Sequence, residues 1–138
     1  MIRELLDDFL QAVAVQFDSV PTMIGFPVVG RDPAILPSIA LEFVSLDELT
    51  EPKPMPRLGQ TARPGLTISV TMHVFANVEP ELLELLDSLI QVRTTVVRIN
   101  GTWNVVYQTT QRYTDGGENP YLKFAMMTPV SLSTVNFS

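Results

Sequence analysis

Residues 66–78, LTISVTMHVFANV, alternate without a break, and this alternation constrains the fold more than any other feature of the chain. Extended backbone has a side-chain period of 2. Leu66, Ile68, Val70, Met72, Val74, Ala76 and Val78 therefore fall on one face, and Thr67, Ser69, Thr71, His73, Phe75 and Asn77 on the other. At roughly 3.3 Å per residue such a strand runs about 40 Å. Its first face is built for a core. Its second face is polar yet carries no full charge, unlike an ordinary solvated face, so it is expected either to be wet or to meet another protein.

The rest of the composition suits a single domain with a substantial core: 138 residues, 46% hydrophobic and 17% charged. Fifteen acidic against nine basic side chains give a formal charge of −6, which disfavours a diffuse nucleic-acid-binding surface. Cysteine is absent, which removes disulfides, thiol catalysis and thiolate metal sites. The opening MIRELLDDFLQAVAVQF interrupts its apolar run with acids, and no later window approaches the ~18 apolar residues of a membrane span. Neither secretion by a standard signal nor membrane insertion is expected.

Ile2, Leu5, Leu6, Phe9, Leu10, Val13 and Phe17 recur at helical spacing and predict an amphipathic helix over residues 2–17. Prolines and glycines make 20–37 an irregular crossing, with one short extended piece at 27–29. SIALEFVSLDEL then reads as a strand, with Ile39, Leu41 and Phe43 facing one way and Ala40, Glu42 and Val44 the other. In LTEPKPMPRLGQTARPG, Pro52, Pro54, Pro56 and Pro64 delete amide donors and exclude the middle of a sheet. An exposed arm or long loop over 51–65 is expected. Lys53, Arg57 and Arg63 make it locally basic, and together with Met55 they suit a contact arm meeting an acidic partner; a plain linker between strands is the competing reading.

Pro80, Glu79 and Glu81 mark a helix start, and Leu82, Leu85, Leu86 and Leu89 form a stripe that Leu83 and Ile90 widen, ending near 92–94. TTVVRI-NG-TWNVVY is a hairpin signal whose two-residue turn pairs Arg98 with Trp103. A second hairpin joins VVYQTTQRY to YLKFAMMTPVSLSTV through a loop at 115–120. The expected fold is α+β: a mainly antiparallel sheet, two helices on one face, and a long proline-rich hairpin arm.

Reactive constellations are scarce. One histidine and no cysteine make a zinc site improbable. His73 has no partner evident from spacing, so a hydrogen-bonded or interface role is favoured over catalysis or ligation. No G-x-S-x-G elbow and no glycine-rich nucleotide loop occurs. Asp7 and Asp8 diverge by about 100° around the first helix and read as solubilising. Asp47, Glu48 and Glu51 lack a liganding pattern, and DGGEN reads as a turn. No catalytic residue, cofactor or metal is expected.

Taken whole, the IRELLDDFLQAV helix, the strands SIALEFVSL and GLTISVTMHVFANV flanking a proline-rich arm, the ELLELLDSLI helix and the closing strands resemble the tail terminator (tail completion) proteins of tailed bacteriophages. The resemblance covers almost the whole chain and rests on order and spacing. It implies a structural virion protein made in the host cytoplasm, forming a homo-oligomeric ring, a hexamer, that caps the tail tube. Its partners would be the tail tube protein, the head–tail connector or neck protein, and in contractile tails the sheath protein, with DNA passing through unbound. The candidate interface is then Lys53, Met55, Arg57 and Arg63 on the arm, with Thr67, Ser69, Thr71, His73 and Phe75 on the strand. Another neck or tail-tube subunit is the alternative. A ligand-binding or enzymatic α+β domain ranks last, and a deep polar pocket around His73 would favour it.

Overall fold

The structure is a computed structural model and describes residues 2–17, 20–25, 37–49, 65–113 and 123–134. The element order is α1 (Ile2–Ala14), β1 (Thr22–Ile24), β2 (Ser38–Leu49), β3 (Gly65–Phe75), α2 (Glu79–Thr95), β4 (Arg98–Ile99), β5 (Trp103–Tyr107), β6 (Gln111–Arg112) and β7 (Ala125–Thr134). The strands form one curled, mostly antiparallel sheet in the order β1-β2-β3-β7-β5-β4, with β6 also on β7. The α+β class is as expected. The proline-rich arm lies outside the described residues, as do the extended piece at 27–29 and the hairpin loop at 115–120.

α1 buries Leu5, Leu6, Phe9, Leu10 and Val13. It stops three residues short of the expected end, because Gln16 and Phe17 donate to Val13 and Ala14 in the tighter i→i−3 pattern that closes many helices. Phe17 nevertheless reaches the core. α2 has Pro80 in its first turn and buries Leu82, Leu85, Leu89 and Val92. Leu83 and Ile90 do not widen this stripe; both are exposed. Val78 at the N-cap has no side-chain oxygen to cap the helix; Glu81 instead reaches back to accept from the backbone amide and Nδ2 of Asn77, at 2.8 and 3.1 Å, tying the residue before the cap to the first turn.

The buried residues of both helices join Ile39, Leu41, Ile68, Val70, Met72, Val74, Val105, Val130 and Leu132 in one apolar cluster. Both helices therefore pack on one face of the sheet, and the even-numbered side chains of β3 are their floor. β1 runs parallel to β2, with Thr22 opposite Ile39, and covers β2 only as far as Leu41.

Three local irregularities depart from simple strand geometry. β2 carries a bulge between Phe43 and Ser45, so Leu46 pairs with Ile68 on the core side where strict alternation would place Ser45. The hairpin turn has the positive φ values expected of Asn-Gly, 53° and 68°, yet closes one residue later than a two-residue turn. Ile99 consequently faces Trp103 and Arg98 faces Asn104, so the expected Arg98–Trp103 pair does not form. Lastly, β5 and β6 run along the same side of β7 but are broken at 108–110 and differ in register by one residue. Gln108 donates to the Pro129 carbonyl at 2.9 Å, so Pro129 turns its backbone groups toward this neighbour, where it has no N–H to return. The missing donor falls at the interruption.

Candidate functional site

The face of the sheet away from the helices is built from odd-numbered residues of β3 and β7. Thr67, Ser69 and Thr71 stand beside Ser133, Ser131 and Pro129, all half-buried, giving a neutral, hydroxyl-rich surface. His73 and Phe75 share this face but not its exposure. They are 3% and 0% exposed, covered within a single copy of the chain. Lys53, Met55, Arg57 and Arg63 lie outside the described residues.

A second, smaller apolar cluster explains the change. Phe75, Ala40 and Ala125 pack together with Tyr113 against them. His73 lies between two rings, stacked at 6.2 Å on Phe75 and at 5.7 Å on Tyr113. Among the described residues its imidazole also meets polar groups at both nitrogens: Nε2 lies 3.2 Å from Glu42 Oε1, and Nδ1 meets the Tyr113 hydroxyl. A neutral ring with its proton on Nε2 satisfies both, donating to the carboxylate and accepting from the phenol. Burial holds the His73 pKa below the usual 6.5, against the opposing hydrogen bond and charge of Glu42. The cluster thus ties β2, β3 and the residue after β6 together through side chains 31 and 40 positions apart.

Spacing alone shows neither partner. Glu42 is legible only once register is known: it pairs with Thr71, which puts it diagonally beside His73 on the same face. Tyr113 has no local sequence signal. Asp8 likewise has a partner that solubility did not suggest, accepting from Asn100 Nδ2 at 2.8 Å and pinning the β4–β5 turn to α1.

The outer margin of β2 is the other feature of note. Among the described residues, nothing pairs with the side of β2 away from β3 beyond Leu41. This stretch carries Phe43, Val44 and Leu46, exposed at 47%, 56% and 45%. One row of the sheet also links its two margins in register, running Asp47–Thr67–Ser133–Asn104–Arg98 from β2 to β4. Asp47 and Arg98 are both exposed. Opposite charges therefore stand at opposite ends of one row.

Among the described residues, no group of three or more His, Asp or Glu is placed to hold a metal ion, and no helix is long and apolar enough to cross a membrane. No protein-family model matches the chain, and no curated protein matches it significantly.

Proposed function

We propose that this chain is a structural assembly subunit of a tailed bacteriophage, a tail terminator that forms a homo-oligomeric ring at the end of the tail tube. In this reading it works in the virion, meets the tube protein on one side and the head–tail connector on the other, and performs no catalysis. The observation that carries the assembly half is the outer margin of β2. Among the described residues this margin presents unpaired amides and carbonyls and three exposed apolar side chains, which is a template for another chain, and soluble proteins ordinarily protect such edges with charge, proline or cover. Burying Phe43, Val44 and Leu46 from half-exposure is worth roughly 1 kcal/mol each.

The charge row supports a head-to-tail arrangement. When the β2 margin of one copy abuts the β4 margin of the next, Asp47 and Arg98 come to the same contact, and a heterologous contact of this kind closes into a ring when its rotation permits. The neutral hydroxyl face suits a passage or a partly covered surface, since Thr67, Ser69 and Thr71 form hydrogen bonds without the cost of stranding a charge. The virion half rests on the resemblance in element order. Its test is electron microscopy of the purified protein mixed with tail tubes. Rings seated on tube ends support it, and a protein that ignores tube ends counts against it.

The enzymatic alternative finds polar groups around His73, as it requires. The imidazole is shielded by Phe75 and Tyr113, however, and the cluster reads as a clamp between strands.

A further inference from the structure

Where β5 and β6 part, the sheet opens into a cavity of about 510 Å³ lined by Arg93, Tyr107, Gln108, Thr109, Gln111 and Pro129. Arg93, in the last turn of α2, is its one cation among these residues, and it is held in place. Its Nη1 donates to Thr110 Oγ1 at 3.0 Å, and Thr110 is anchored in turn by the fully buried Thr128 hydroxyl at 2.8 Å. Its guanidinium carbon stands 5.8 Å from the centroid of the Tyr107 ring, which is fixed by a 2.7 Å bond from its hydroxyl to the Val96 carbonyl. Burial raises the Tyr107 pKa, against the opposing charge of Arg93, which keeps that phenol a donor.

Arg3 has Asp7 and Arg112 has Glu79, but among the described residues no carboxylate pairs with Arg93. A guanidinium has five N–H donors, and the bond to Thr110 uses one. The others belong to a half-buried, pre-positioned fork in a cavity that Gln108, Thr109 and Gln111 also line. This matches a carboxylate, whose two oxygens accept parallel bonds from one guanidinium. A single positive charge at the carbonyl end of α2, where the helix dipole is negative, is poorly matched to a phosphate dianion.

We infer that the Arg93 cavity is a carboxylate-binding site and that it receives an Asp or Glu side chain from a neighbouring copy of the chain. The carboxylate chemistry stands on the cavity itself; the neighbouring copy as its source rests on the assembly reading. In an acidic protein such a receptor converts a repulsive side chain into a contact.

The test has two arms. In the first, the Arg93 Nε–Hε signal of the full chain is followed by NMR during titration with acetate, with inorganic phosphate as the comparison and exposed Arg3 as the internal control. A saturable shift at Arg93 with acetate, absent at Arg3 and weaker with phosphate, is expected. Equal, linear drifts at both arginines, or stronger binding of phosphate, overturn the site. In the second arm, self-association of wild type, R93K and R93Q is measured by sedimentation. R93Q is expected to associate about tenfold or more weakly, with R93K between it and wild type. Acetate binding combined with unimpaired R93Q assembly overturns the neighbouring-copy source and leaves a free small carboxylate as the ligand. Acetate binding by a wild type that never associates overturns the assembly reading while the carboxylate site stands.

Discussion

Replacing Tyr113 by Phe removes one hydroxyl and keeps the ring that stacks on His73. The consequence follows from the neutral tautomer. Nδ1 of a nearly fully buried imidazole loses its bond from the Tyr113 hydroxyl, and losing such a bond costs about 0.5–1.5 kcal/mol. For a chain of 138 residues this lowers Tm by roughly 3–4 °C per kcal/mol. Tyr113→Ala also loses the stacked ring and is expected to cost about 0.5–1.5 kcal/mol more.

The pH dependence is sharper still, because His73 is the single histidine of the chain and so dominates titration between pH 5 and 8. Its folded-state pKa lies below the ordinary 6.5, so the unfolded chain binds more protons across that window. Stability therefore rises with pH and is lost as pH falls below about 6.5 toward the folded-state value. The two partners act with opposite signs. The phenol donates to the neutral ring, so Y113F lets the pKa rise and makes the loss shallower; Glu42 favours the charged ring, so E42Q makes it steeper. Urea denaturation of wild type, Y113F, E42Q and H73Q at half-unit steps from pH 5 to 8 reads these slopes, with H73Q supplying the background from carboxylates. Equal slopes in all four proteins, or slopes of the reverse order, would refute the tautomer and the clamp built on it.

Two further outcomes concern the fold itself. Gly101→Ala is expected to cost about 1 kcal/mol through its φ of 68°, with no steric contribution because open space surrounds the added carbon, and chemical denaturation measures it. Phe9→Ala, emptying a fully buried site between α1 and the sheet, is expected to cost about 3–5 kcal/mol, read as a drop in the urea midpoint with an unchanged m-value.

The period-2 run of β3 and the 3.6-period stripes of α1 and α2 were legible because each element's burial is decided by its own side chains. The same local logic misled where a neighbour decides. Ile39, Leu41 and Phe43 are in phase with each other and out of phase with Leu46, and only the bulge opposite β3 reconciles them. Asn100 and Gly101 announce the turn, but pairing sets its closing register, and the register separates Arg98 from Trp103. The second face of β3 looked uniform in composition. Its division into a half-buried hydroxyl stretch and a fully buried aromatic one depends on Tyr113, 40 positions from His73 and brought to it by β6 lying on β7. The parallel pairing of β1 with β2 likewise has no signal in Thr22–Ile24 themselves.

Whether the two margins of the sheet join successive copies is decided by charge reversal across the proposed contact. Sedimentation velocity of wild type, D47R, R98D and the double variant is the measurement. Wild type is expected to form a closed oligomer, each single reversal to dissociate it with unchanged circular dichroism, and the double variant to recover it, the pair being restored with its signs exchanged. A wild type that stays monomeric at high concentration contradicts this joining of the margins, as does an oligomer indifferent to all three substitutions.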